Sequence, residues 1–393
     1  MRIRRCSILL LEPREETTFD LEALLGGGNG LHSEQSWLAL APHLDAPLKV
    51  SIEERELLGR LSPTEWVDTK ALAGDGSTVR QLLKTGLLIA RGKRHAAHRE
   101  RDERLRETHW HPLAATFHAF TRWSTLDTVQ GMRDSGTETP EQMRAAFGPP
   151  PVAAPSRGKA SASLPLPRAE PTAFDQLLGR RVTCRNFDED RPLPRALLAQ
   201  LLQRVFSVQA QVHACEDTVF FKKTSPSGGG LHPVEAYLVV QNVEGVAPGL
   251  YHYHALDHAL EPLPSPELPL REFAMQAVAH QHWFADAHVL VLLAPRFDRT
   301  FWKYRHHAKA YRVIALEAGH LSQTLYLSAT EAGLGAFITG AINEVPVEQA
   351  FGLDPIRDGV MAICGFGWRG ESMETTELDP AGAVWEQPVG ASE

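Results

Sequence analysis

Apolar positions in this chain keep helical spacing near its start and form strand-like runs towards its end, with a stretch of neither in between. Residues 51–59 and 63–72 predict two short helices, and residues 77–85 predict a third that stops at Gly86. The run Leu87-Leu88-Ile89-Ala90 then predicts a strand. Residues 99–108 suit an exposed helix. Over 110–123, Trp110, Leu113, Phe117, Phe120 and Trp123 recur at helical spacing, a stripe that docks its helix on a core. Beyond residue 171 the pattern changes. An amphipathic helix is predicted over 196–206, buried strands over 236–241 and 287–293, and a strand over 249–254 that turns back through 259–263 as a hairpin. The unbroken apolar character of 287–293 calls for a sheet covered on both faces. A long helix follows over 311–332, then a small-residue turn over 333–340 and a last strand over 360–365. Helices and strands alternate irregularly around a hairpin, so the expected fold class is α+β with a mostly antiparallel sheet.

The clearest break is the Pro/Ala/Ser-rich segment 149–167, which has the composition of an exposed linker. The expected organisation is a winged-helix-like module over 1–94, a helical connector over 95–147, the linker over 148–171 and a second domain over 172–393. Composition narrows the function classes. At 393 residues, 43% of them apolar and 22% charged, the chain is long enough for an enzyme. A net charge of −8 argues against nucleic-acid binding, as does the acidic run Glu53-Glu54-Arg55-Glu56 within the winged-helix-like module. The apolar segment 6–11 is interrupted by Glu12-Pro13 and is too short for a signal or membrane segment, so a cytoplasmic location is expected. Four scattered cysteines form no Cys-x-x-Cys, and the paired histidines lack a helical His-x-x-x-His, so no metal site is expected.

Four segments carry candidate chemistry. Arg181 and Arg185 flank Thr183 in Arg180-Arg181-Val182-Thr183-Cys184-Arg185-Asn186-Phe187, an arrangement suited to clamping a phosphate, although solvated arginines also end many helices. In Thr224-Ser225-Pro226-Ser227-Gly228-Gly229-Gly230-Leu231-His232-Pro233 the glycines let backbone approach a flat ligand; a tight turn before a strand is the plainer reading. Gly333-Leu334-Gly335-Ala336-Phe337-Ile338-Thr339-Gly340-Ala341 is either a ligand-facing backbone segment or a buried turn. Arg369 closes Gly365-Phe366-Gly367-Trp368-Arg369, where a second phosphate contact would fit.

In this order the four segments resemble the nitroreductase-like FMN flavoproteins over about residues 172–368. Within that superfamily the chain is most similar to the SagB-type dehydrogenases of peptide maturation. The carrying motifs are Ser225 to Tyr237, Gly249-Leu250-Tyr251-His252-Tyr253, Trp302-Lys303-Tyr304 and Leu316-Glu317-Ala318-Gly319-His320-Leu321-Ser322-Gln323. The resemblance implies a nitroreductase-like antiparallel sheet flanked by helices. It assigns Arg181, Thr183 and Arg185 to the FMN phosphate and ribityl chain, Pro226, Ser227 and Gly228 to the flavin ring, Gly340 and Ala341 to the surroundings of flavin N5, and Arg369 to a further phosphate contact. It also implies a homodimer with the long helix in its interface. The pair Lys303-Tyr304 stands where the SagB pattern has its catalytic base, while Arg305-His306-His307-Ala308-Lys309 departs from the usual continuation. The implied activity is oxidation of a residue or azoline in a ribosomally made precursor peptide, alongside a cyclodehydratase-type partner. Two alternatives stay open: an NAD(P)H-dependent nitro or quinone reductase, and a non-catalytic scaffold that presents a peptide. By the same resemblance the N-terminal module is a candidate peptide-recognition element that would bind by adding a strand to a sheet edge. Glu317, His320 and Gln323 share one helical face, with a structural role or a substrate contact both open.

Overall fold

The computed structural model describes residues 1–158 and 163–385; part of the expected linker and the end of the expected second domain lie outside them. The chain forms two compact units. One consists of Met1–Arg122, Arg296–Arg312 and Asp354–Gly359; the other of Trp123–Pro295, Val313–Leu353 and the chain from Val360 onward. The connector expected over 95–147 is therefore divided between the units, and short segments from late in the sequence complete the first.

The first unit contains a three-stranded antiparallel sheet made by β1 (Arg2–Arg5), flanked by β5 (Val67–Asp68) and β6 (Leu88–Ala90). Two helices pack on it. Ile52–Arg60 starts at a capping box, in which the Ser51 hydroxyl accepts from the Glu54 N–H and the Glu54 carboxylate accepts from the Ser51 N–H. Gly76–Thr85 ends at Gly86, whose φ of 84° and closeness to the His98 ring exclude a side chain. Leu57, Leu58, Leu82, Leu87, Leu88 and Ile89 meet in the core, each at most 1% exposed. The helix expected over 63–72 is absent. Val67 is drawn into register with Ile3, Trp66 lies beneath the guanidinium groups of Arg4 and Arg91, and only a 3-10 turn follows at Thr69–Asp75.

A second sheet in this unit was not expected: β2 (Leu10–Phe19) pairs with β3 (Leu31–Leu40), and β3 with β4 (Leu48–Val50). The aromatic stripe of 110–123 also divides. Trp110 precedes the Pro112–Phe120 helix and is buried, with its ring centroid 4.6 Å from those of Phe297 and Phe301, whereas Leu113 and Phe117 face outward.

The second unit is built on a six-stranded sheet in the order β11-β10-β9-β12-β14-β13, with every neighbouring pair antiparallel. These strands are β9 (Val234–Val240), β10 (Gly249–His254), β11 (Ala259–Pro262), β12 (Val289–Pro295), β13 (Gly335–Thr339) and β14 (Ala362–Gly367). All seven residues of β12 are buried, as its continuous apolar run requires of a central strand. A separate hairpin, β7 (Ala210–Cys215) with β8 (Thr218–Lys222), precedes the glycine loop. The long helix spans Ala310–Glu331. The turn expected over 333–340 is largely strand β13, because Gly335 leaves room for Cys184 and the segment pairs with β14 along its length.

Candidate functional site

Three clusters of the expected site residues form in the second unit, and the long helix anchors two of them. At the first, Thr183 Oγ1 lies 3.0 Å from the Tyr326 hydroxyl, which also accepts the Ile338 N–H at 3.2 Å. The Arg181 guanidinium lies over the Tyr326 ring, 5.2 Å from its centroid, and pairs with no carboxylate among the described residues. A half-buried cation without a counter-charge beside a fixed hydroxyl suits an anionic ligand group. Burial raises the Tyr326 phenol further above its ordinary value, so it stays a neutral hydrogen-bonding post.

At the second cluster, the glycine loop is tied down at several points. Ser227 Oγ donates to Glu317 Oε2 and accepts the His232 N–H at 2.8 Å, while Glu317 Oε1 accepts the Val234 N–H at 3.4 Å. Ser225 Oγ lies 2.9 Å from Thr324 Oγ1, and the Pro226 carbonyl lies 3.4 Å from His320 Nδ1. Glu317, His320 and Thr324 thus form the helix face that holds the loop; Gln323 is not part of it. Glu317 is 3% exposed, and desolvation pushes its carboxyl above the usual carboxylate range. The glycines serve this packing directly. A Cβ on Gly228 would sit 2.0 Å from Val313 Cγ1, and Gly229 and Gly230 take φ of 69° and 68°. Glu317 and Tyr326 are nine residues apart on one helix, about 14 Å along its axis, so one rigid element sets the spacing of the loop and the arginine cluster.

The third cluster was not foreseen. Glu377 is buried and collects five donors. Its Oε1 accepts the Arg185 N–H at 2.6 Å, the Asn186 N–H at 3.1 Å and Asn186 Nδ2 at 2.9 Å; its Oε2 accepts Trp385 Nε1 at 2.7 Å and the Arg369 guanidinium. Arg185 itself donates from Nη1 to the Thr376 carbonyl at 2.8 Å. The Arg369 charge is therefore balanced by Glu377, whereas that of Arg181 is not balanced by any carboxylate among the described residues. Glu377 gave no signal in the sequence, because Arg185 and Asn186, which supply three of its five donors, lie about 190 residues away.

Gly340 and Ala341 follow the end of β13. The Ala341 N–H donates to Thr339 Oγ1 at 3.1 Å, and its carbonyl accepts Gln281 Nε2 at 2.8 Å, which fixes the strand end. Lys303 and Tyr304 belong to the first unit. Lys303 closes the Phe297–Lys303 helix, and its Nζ lies 5.6 Å from the centroid of the half-buried Tyr304 ring. Three cysteines, Cys6, Cys184 and Cys364, are buried with their thiols pushed up by desolvation, so none offers a ready thiolate. No helix of the described residues is long and apolar enough to cross a membrane.

Residues 178–368 match the model of the nitroreductase family. The relative named "Putative nitroreductase MJ1384", from Methanocaldococcus jannaschii, is 30% identical over 184 residues, which span 47% of this chain and 86% of that protein. The trifolitoxin-processing protein TfxB of Rhizobium leguminosarum bv. trifolii is 30% identical, over 44% of this chain and 48% of its own length. The microcin B17-processing protein McbC of Escherichia coli is 25% identical, over 46% of this chain and 65% of its own length. This chain thus spans about half of TfxB and just under two thirds of McbC. With its antiparallel sheet, helix-anchored glycine loop and these relatives, the chain belongs to the nitroreductase family, where it resembles the SagB-type peptide-processing members.

Proposed function

We propose that the chain is an FMN-dependent dehydrogenase that oxidises a residue or an azoline ring within a ribosomally synthesised peptide. The observation that carries the reading is the Arg181–Thr183 cluster, a cation without a carboxylate beside an anchored hydroxyl, fixed by the same helix that holds the glycine loop. Its donor set fits the phosphate of FMN, and the Arg185 guanidinium, held only by a carbonyl, adds a second charge. Pro226, Ser227 and Gly228 would support the ring system, and the backbone at Gly340 and Ala341 would edge it. Bound FMN would supply a two-electron acceptor. Removal of two hydrogens from an azoline also requires a base for the carbon-bound proton, and Lys303 with Tyr304 takes that role in this reading. The names of TfxB and McbC, both processing proteins, support a peptide substrate, and a cyclodehydratase-type partner and a homodimer belong to the same proposal.

Purified protein is expected to be yellow and to release FMN on denaturation, and Arg181→Ala with Arg185→Ala should weaken FMN binding at least about tenfold. A colourless protein that ignores added FMN sinks the reading. The match to a protein named as a nitroreductase favours a second reading, reduction of nitro compounds or quinones with NAD(P)H. Rapid bleaching of the flavin by NAD(P)H without peptide would select it. Bleaching by a peptide that loses two hydrogens would select the dehydrogenase.

A further inference from the structure

Outside the flavin-type site, the first unit carries a groove of about 870 Å³ between the Gly76–Thr85 helix and the turn that opens the Ala96–Glu107 helix. Arg80 and Lys84 stand on the helical wall, one turn apart. Lys93, Arg94, His95 and His98 stand on the opposite wall, and among the described residues no carboxylate lines the groove. Several other cations of this unit are matched by carboxylates: Arg60 pairs with Asp75, Arg101 with Asp45, Arg104 with Asp354 and Arg106 with Asp102. Among the described residues Arg80, Lys84, Lys93 and Arg94 make no ion pair, and all four are exposed. Four unmatched cations converge on one recess in a chain whose net charge is −8.

We infer that this groove binds an acidic, extended peptide segment, held by its carboxylates between the two basic walls. The inference rests on the reading of the substrate as a peptide and names the chemistry of the part held away from the reacting residue. At the end of β6, pairing with an added strand would meet a competitor. Arg99 Nη1 donates to the Ala90 carbonyl at 3.2 Å and to the Gly92 carbonyl at 3.3 Å, occupying acceptors at the outer edge of β6. Recognition therefore falls to side-chain charge. The shape also favours a peptide over a nucleic-acid duplex. A helix that reads DNA projects into a major groove about 12 Å wide. Here the Gly76–Thr85 helix is instead one side of a recess, with the 92–98 segment facing it.

Fluorescence anisotropy on the full chain tests this with a fluorescein-labelled glutamate-rich peptide, a lysine-rich peptide of equal length, and single- and double-stranded DNA. The glutamate-rich peptide should bind best. Arg80→Glu with Lys84→Glu, and separately Lys93→Glu with Arg94→Glu, should each weaken its binding about tenfold or more, and added salt should weaken it further. All four positions are exposed, and circular dichroism checks that the variants remain folded. Absence of binding, DNA binding as tight as the peptide's, or unchanged affinity in both double variants overturns the inference. FMN content, measured on the same samples, separates the two readings. An FMN-loaded protein that ignores the acidic peptide refutes the groove alone, and a flavin-free protein that binds it through these residues refutes the flavin reading alone.

Discussion

The contact between Gly228 and Val313 makes the glycine loop a packing device before it is a ligand device. A methyl group on Gly228 would need Val313 Cγ1 to move by more than an ångström, and the Ser227–Glu317 bond beside it leaves little slack. Gly228→Ala is expected to destabilise the fold by about 1–3 kcal/mol. Adding Val313→Ala to it should recover part of that loss. Thermal melts of the single and double variants measure both, and a Gly228→Ala protein as stable as the parent would contradict the close approach. At this scale the sequence was partly legible. Arg181 and Thr183 could be picked out because a hydroxyl between two arginines is a local pattern. Glu377 and Tyr326 could not, because the contacts that tie them to the arginine segment, Glu377 to Arg185 and Asn186 and Tyr326 to Thr183, span more than a hundred residues.

At the scale of elements, legibility followed burial. Strand β12 announces itself because all its positions are apolar, and the hairpin of β10 and β11 because it alternates. Strands β2 and β3 stay silent. Their paired stretch, Arg14 to Thr18 against His32 to Ser36, is mostly exposed and polar, so no apolar period marks it. The edge of the large sheet carries a pH-dependent link of its own. On β10, His252 Nδ1 lies 2.7 Å from Glu261 of β11, and its Nε2 lies 3.3 Å from Glu235 of β9. The Glu235 carboxylate is the largest cause holding the imidazole above its ordinary value. A raised folded value means that this contribution is fully present below the unfolded value of about 6.5 and is lost as pH rises through the folded one. Urea midpoints should therefore fall between mildly acidic and alkaline pH in the parent, and fall less in His252→Gln. Identical slopes in the two proteins would show that the triad contributes nothing.

At the scale of the whole molecule, the domain plan was the least legible part. Composition marked a linker, but the first compact unit takes in two segments from far beyond it. Trp110 shows what those segments do. Its ring rests on Phe297 and Phe301, and its indole N–H donates to the Ile356 carbonyl at 2.9 Å, 246 residues away. Nearby, His118 is buried, and desolvation pushes it down to about 3, so it stays neutral between the Tyr311 hydroxyl and the Pro355 carbonyl. A fragment ending at Arg122 lacks these partners. It should melt less cooperatively than the full chain and lose the near-ultraviolet signal of an ordered Trp110; a fragment with a sharp transition and that signal intact would refute the prediction. The same discontinuity bears on birth rather than endurance. Made from its amino terminus, the chain must hold Trp110 unmatched while some two hundred further residues emerge, and only then can the first-made unit close. For this protein, the unit that is begun before the linker is closed only late, by Asp354–Gly359.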